Sequence, residues 1–279
     1  MATQKILIIG YGYVGKAYHK FFESHYETKI FDPFVTQSEL SLVTSIQAEP
    51  FDLYVVCTPT PAGEKGECDL TAVHETLADI PDNSLVLIKS TVEVGTTDYL
   101  KEKHPTLKIV FSPENIGEST YYTPAPYDFH VEVEKTPWFT FGGEREDTTA
   151  MVNFFMPITG PAKRYNQCTP KEAEMAKYMN NTSFAMRVVF VNEIARICNE
   201  ANIDFNTVRE LWLCDPRNNP MFSGVITNRN DGMCFGGKCL PKDLSALICF
   251  AEKAGYDAKF LREIQSSNKR IGQLNGENQ

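Results

Sequence analysis

The stretch that decides the fold is KILIIGYGYVG, Lys5 to Gly15: an apolar run of strand character, then glycines at 10, 12 and 15 leading into a helix-compatible segment. Gly10-Tyr-Gly12-Tyr-Val-Gly15 between a strand and a helix is a dinucleotide-binding fingerprint, and Asp32 stands at the end of the next apolar run, about 20 residues on. Gly10 permits the tight turn, Gly12 lets the backbone approach a pyrophosphate, and Gly15 lets the helix pack on the strand. The helix N-terminus supplies N–H donors to the phosphates. Asp32 can accept from the ribose hydroxyls of adenosine and would repel a 2′-phosphate, so the expected cofactor is NAD rather than NADP.

Outward from that motif, short apolar runs recur at Lys29 to Phe31, Leu53 to Cys57, Leu85 to Ile88 and Ile109 to Phe111, with room between them for crossover helices. They predict an α/β fold with a Rossmann-type, doubly wound parallel sheet at the N-terminus. Trp138 to Phe141 reads as a further strand, Glu144 to Phe155 as a helix and Lys163 to Tyr165 as a last short strand. The pattern then changes. Thr169-Pro170-Lys171-Glu172 combines a capping residue, proline at the first helical position and a glutamate able to reach back. No Pro or Gly follows from Lys171 to Ala201, so one helix of about 30 residues is expected. Asp204 can cap a helix ending at Leu213, Asp215 to Lys238 reads as loop, and helices follow from Pro241 to about Ala254 and from Ala258 to Arg270. The expected domains are 1–168, binding NAD, and 169–279, a helical dimerisation and catalytic domain with one long central helix.

The 279 residues suffice for two domains, and 42% hydrophobic with 23% charged residues is the composition of a globular protein. A net charge of -9 opposes attraction to phosphate backbones, so no nucleic-acid partner is expected. No apolar run approaches the roughly 18 residues of a membrane span, and the N-terminus lacks a signal-peptide pattern, so a cytoplasmic location and no membrane partner are expected. The eight cysteines include no CxxC pair and the five histidines all lie at or before His130, so no metal site is expected.

Two groups carry chemistry on their own terms. Cys239 follows Gly236-Gly237-Lys238 and immediately precedes a helix opened by Pro241, where the lysine and the positive helix end favour a thiolate. Cys198 and Cys249, by contrast, read as inert buried thiols. Lys177 and Asn181 are four apart on the long helix and can point at one substrate oxygen, although a solvated polar face has the same spacing.

Several segments in order, GYGYVG (10–15), TPTP (58–61), STVEVGTT (90–97), SPENIGES (112–119), EMAKYMNNTSFAMRVVFVNEIA (174–195), DPR (215–217) and FGGKCLPKD (235–243), resemble the UDP-glucose/GDP-mannose 6-dehydrogenase family. The resemblance implies oxidation of a nucleotide-sugar primary alcohol to a carboxylate in two hydride transfers, with UDP-glucose the expected substrate. It makes Cys239 the nucleophile, gives Lys177 and Asn181 the reacting oxygen, and assigns water activation to Asp243, water placement to Thr91 and assistance in thioester hydrolysis to Glu118. Cofactor contacts fall on Gly10, Tyr13, Val14, Gly15, Asp32, Thr58, Pro59 and Thr91. Substrate contacts fall on Glu114, Lys177, Asn181, Arg217, Phe235 and Gly236, with Arg217 reaching a neighbouring subunit's site in a homodimer.

This chain departs from the family pattern at Gly117, where an arginine is usual, at Cys234, where glycine is common, and after Arg217. It also ends soon after the helix following the catalytic loop, so a short form without the family's third, nucleotide-gripping domain is expected. Two other functions fit the same N-terminal motif: a single-step enzyme resembling the β-hydroxyacid dehydrogenases, which lack the cysteine, and a non-catalytic NAD-binding regulatory module. The first makes one NADH per substrate and the second makes none.

Overall fold

The computed structural model describes residues 4–36, 41–63, 66–116, 132–225, 234–237 and 239–273. In chain order they form β1 (Lys5–Ile9), α1 (Tyr13–Glu23), β2 (Glu27–Phe31), β3 (Leu53–Val56), α2 (Thr71–Asp79), β4 (Leu85–Ile88), α3 (Thr96–Lys103), β5 (Lys108–Phe111), β6 (Trp138–Gly142), α4 (Arg145–Thr159) and β7 (Arg164–Cys168). Helices α5 (Pro170–Glu200), α6 (Phe205–Leu213), α7 (Leu240–Lys253) and α8 (Lys259–Gln273) complete the chain. The chain divides into two compact units between Lys177 and Tyr178, with the described residues Ala62, Gly63, Gly66 and Glu67 assigned to the second.

The seven strands of the first unit form one sheet in the order β2-β1-β3-β4-β5-β6-β7. Because its strands are buried on both faces, successive apolar side chains divide between two cores. Leu7, Ile9, Tyr54, Val56, Val86 and Ile88 pack with Val73 and Leu77 of α2 and Leu100 of α3. Ile6, Ile8, Leu53, Val55 and Leu87 pack with Tyr18, Phe21 and Phe22 of α1 and with Met151 and Phe155 of α4. The chain order reverses between β1 and β3, which places a crevice beyond their carboxyl ends, where sheets of this kind hold ligands.

Two features differ from the sequence expectation. The sheet is parallel only through β5; β6 meets β5 antiparallel at the single pair Phe111–Gly142, and β7 runs parallel to β6. That junction is crowded: a Cβ on Gly142 would lie 2.7 Å from the Ala173 Cβ, so α5 approaches the sheet over a bare glycine. The connection from β2 to β3 also holds no helix in its described residues; Val43 instead donates to Ile30 O and Leu42 bridges Ile30.

Helix α5 starts as its sequence predicts. Thr169 N and Oγ1 donate to Glu172 Oε2 at 2.8 and 2.7 Å, while Glu172 N faces Thr169 Oγ1 at 3.4 Å. Its 31 residues span about 45 Å at the helical rise. Glu174, fully buried one turn in, accepts from Gly95 N (2.6 Å), Thr97 N (2.8 Å) and Thr97 Oγ1 (2.6 Å). Gly95 is the N-cap of α3 and has no side chain to offer, so a carboxylate from α5 satisfies that helix end. Burial pushes the Glu174 carboxyl upward, and the hydrogen bonds from Thr97 and Gly95 oppose the shift.

In the second unit Ala185, Val188 and Val189 of α5 pack with Leu244 and Ile248 of α7 and with Ile264 and Ile271 of α8. Asp204 caps α6, accepting from Asn206 N and from Thr207 N and Oγ1. No described helix is long and apolar enough to cross a membrane.

Candidate functional site

The glycine turn has the geometry a dinucleotide requires. Gly10 sits at φ +88, and a Cβ there would meet Cys57 O at 2.8 Å; a Cβ on Gly15 would fall 1.9 Å from Gly10 O. Gly12, the N-cap of α1, has open space where its side chain would be, so a ligand can lie against its backbone. No acidic residue occupies the first turn of α1, leaving its N–H groups receptive to phosphate. Tyr13 and Val14 open that helix; Tyr13 is exposed and Val14 packs on the core. Asp32 is tied to the same turn: its Oδ2 accepts from Tyr11 N at 2.7 Å and its Oδ1 from Phe34 N at 2.8 Å. These are the fittings of an NAD site.

Beyond β3, Thr58 Oγ1 lies 3.4 Å from Ser90 Oγ, whose hydroxyl donates to Thr58 O at 2.6 Å. Pro59 is exposed, and Thr60 Oγ1 donates to Thr91 O at 2.7 Å, so the turns after β3 and β4 are cross-linked at the crevice. The carboxyl end of β5 contributes Ser112, Pro113 and Glu114. Lys177 Nζ donates to Glu114 O at 2.5 Å, and Glu114 Oε1 accepts from Ile116 N at 2.6 Å. Lys89, which carries no signal in the sequence, lies at the same place: its ammonium is buried, donates to Ser112 Oγ and Pro113 O, and is 3.4 Å from Glu114 Oε2. Burial lowers its pKa, and Glu114 opposes that shift. A lysine after an apolar strand reads as a strand-end surface charge, so only the structure reveals it.

The second unit assembles the other group. Asn181, four residues beyond Lys177 on α5, donates from Nδ2 to Asp243 Oδ2 at 2.5 Å, and both residues are buried. Lys242 Nζ lies 2.8 Å from Asp243 Oδ1 as an ion pair without hydrogen-bond alignment. Asp243 N donates to Cys239 O at 2.9 Å in the first turn of α7, so the carboxylate stands one turn from the cysteine. Cys239 is the N-cap of α7, in helical φ/ψ, with an exposed thiol. The helix end therefore directs its positive pole toward the sulfur. Phe235, in the loop before it, is buried and clamped by Asn268 of α8, which accepts from Phe235 N (2.9 Å) and donates to Phe235 O (3.0 Å). Gly236 follows in the same loop. The Asn268 clamp has no sequence signal, being one polar residue in a polar helix.

Arg217 lies on a separate loop, is exposed and pairs with Asp215 at 2.5 Å. That loop is fixed from both sides: Arg187 donates to Asn219 O and Met221 O, and Arg209 Nε to Ser223 O and Oγ. Glu118, Gly117 and Lys238 lie outside the described residues. Cys198 is buried as expected, whereas Cys249 is half-buried. No disulfide links any of the eight cysteines, and the described residues contain no cluster of metal-ligating side chains.

Two models of one family match the chain, together over most of its length. Residues 20–125 match the NAD binding domain of the UDP-glucose/GDP-mannose dehydrogenase family, and residues 171–270 match its central domain. A UDP-glucose 6-dehydrogenase of Pseudomonas aeruginosa is 30% identical over 239 residues, covering 80% of this chain and 49% of that protein. The structure of a UDP-glucose dehydrogenase from the hyperthermophilic archaeon Pyrobaculum islandicum superposes with a TM-score of 0.80 at 20% identity, covering 96% of this chain and 68% of the other. A UDP-D-ManNAc dehydrogenase from Pyrococcus horikoshii gives 0.75 at 19% identity, with 96% and 69% covered. The chain spans about half the length of the curated relatives it matches.

Proposed function

Because this chain belongs to the UDP-glucose/GDP-mannose dehydrogenase family, with its NAD binding and central domains both matched, we propose that it oxidises the C6 alcohol of a nucleotide sugar to a uronic acid, with UDP-glucose the expected substrate. The observation that carries the reading is the second unit's grouping: an exposed thiol at the start of α7, one turn from a buried carboxylate that Asn181 holds. A single-step alcohol dehydrogenase needs no such nucleophile.

The Gly10–Gly15 turn and Asp32 would hold NAD, which would supply the hydride acceptor for each of the two oxidations. Lys177 and Asn181 hold the C6 oxygen and stabilise negative charge as its proton passes to water and the C6 hydride departs. The Cys239 sulfur adds to the aldehyde carbon, its proton passing to the oxygen, and a thiohemiacetal forms. Loss of the second hydride gives a thioester. Water positioned by Thr91 and Asp243, with Glu118 assisting, attacks it; the C–S bond breaks, and Cys239 is released with the acid. Glu114, Phe235 and Gly236 contact the sugar nucleotide. We keep the functional boundary at 168/169, where β7 ends and α5 begins, and place the protein in the cytoplasm. The test is incubation with NAD and a panel of UDP- and GDP-sugars, followed by absorbance of NADH. No turnover on any member would favour the regulatory module and would refute the reading.

Asp32 predicts cofactor choice. The wild type is expected to prefer NAD over NADP, and Asp32→Ala to weaken NAD binding while relaxing the preference, because one carboxylate supplies both the ribose acceptor and the repulsion. Steady-state rates with the two cofactors check this; equal use of NADP by the wild type contradicts it.

The same reading makes the enzyme a homodimer. Met179, Met186, Phe190 and Ile197, spaced 7, 4 and 7 along α5, are 73%, 41%, 53% and 56% exposed, an apolar stripe beyond the face used in the core. Arg217, on its fixed loop, would reach the second subunit's site. Mixing Arg217→Ala with Cys239→Ala subunits then gives heterodimers with one intact site each. Recovery of about a quarter of wild-type activity is expected for random pairing. No recovery, or an active monomer by light scattering, contradicts the shared site.

A further inference from the structure

A fully buried lysine is rare unless its charge is matched, and the Lys89 side chain is 1% exposed. Its ammonium donates to Ser112 Oγ at 3.1 Å and Pro113 O at 2.9 Å, lies 3.4 Å from Glu114 Oε2, and sits 4.7 Å from the centre of the Tyr18 ring. Three consecutive residues at the end of β5 are thus gathered onto one cation from the end of β4. The same short segment also meets Lys177 of α5, because the Glu114 carbonyl accepts from Lys177 Nζ. All of these groups belong to the first unit.

Packing does not call for a charge here. Val86, Leu87 and Ile88 before Lys89 are wholly buried and apolar, and a methionine would fill the same space. Taking an ammonium out of water is costly and is offset only by well-placed partners. Lys89 has four such partners, three of them on the segment that carries the Lys177 acceptor. Glu114 Oε2 is itself buried without a geometric hydrogen bond, and the Lys89 ammonium faces it at 3.4 Å with Tyr18 also beside the carboxylate.

We propose that Lys89 is a positioning residue for the oxidation: it fixes the Ser112–Glu114 segment so that the Glu114 carbonyl holds Lys177 Nζ where the reacting oxygen is gripped. The inference rests on the role given to Lys177 above. It assigns Lys89 no contact with substrate.

The test pairs structure with kinetics. Crystal structures of the wild type and Lys89→Met would be compared, and kcat and KM measured for both with NAD and the best sugar nucleotide. In Lys89→Met the Lys177–Glu114 carbonyl hydrogen bond is expected to be lost, with kcat falling about 100-fold, the scale of an ångström-sized misplacement. KM for NAD is expected to stay within about twofold, a split that general loosening of the fold would not produce. A retained hydrogen bond overturns the proposal, and so does an unchanged kcat. Should Lys89→Met fail to fold, Lys89→Gln, which keeps a donor but loses the charge, is read the same way. Its expected fall in kcat is about tenfold, and an unchanged kcat overturns the proposal. If the wild type turns over no sugar nucleotide, the proposed activity fails, and the structures alone then decide: a Lys177–Glu114 bond that persists without Lys89 overturns the inference.

Discussion

Replacing Cys239 with alanine is expected to end acid formation. The thiol is the group that holds the aldehyde covalently in the proposed reaction, and without it the second hydride transfer has no thiohemiacetal to act on. Loss of a nucleophile costs on the order of 10³-fold or more, so NADH production beyond one equivalent should fall below detection. Cys239→Ser is expected to behave differently. An oxygen ester can form at the same position, but an alkoxide is a poorer leaving group than a thiolate, so hydrolysis slows and a sugar ester accumulates on the protein. Mass spectrometry of the intact chain reads that adduct. Acid formation by the alanine variant at the wild-type rate would remove Cys239 from the mechanism.

The second large effect is on stability. Glu174→Gln preserves size but leaves one oxygen where two accept three hydrogen bonds, and turns an NH2 group toward Gly95 N or Thr97 N. Buried donors then lose a charged acceptor at the start of α3, which by the usual cost of such bonds is about 2 to 4 kcal/mol. Thermal unfolding should shift down by roughly 5 to 10 °C for a protein of this size. A shift below about 2 °C would mean that the carboxylate is replaceable at that helix end. Glu174 stands three residues before Lys177 on α5, within the same unit.

Much of this architecture is legible in the amino-acid sequence. The strand–glycine–helix opening, the Thr169–Glu172 cap, the uninterrupted helix to Glu200 and the Pro241 helix all rest on local rules, and local rules suffice there. Strand direction is not legible: the stretch from 112 to 137 carries no periodicity that says whether β6 returns parallel or antiparallel. The cysteine, asparagine and aspartate of the second unit stand out through motif and spacing, but the Asn181–Asp243 bond joins residues 62 apart that neither helix's pattern relates. Lys89 and Glu174 escape notice as organisers for one physical reason. Charged residues are ordinarily read as surface, and burial of a matched charge depends on partners distant in sequence: Ser112 to Glu114 for the lysine, Gly95 and Thr97 for the glutamate.

The most direct test of the two-step reading is the number of NADH molecules formed per sugar nucleotide consumed by the wild-type chain. The account predicts two, with a uronic acid as product; one NADH per substrate, with an aldehyde or ketone released, would contradict it.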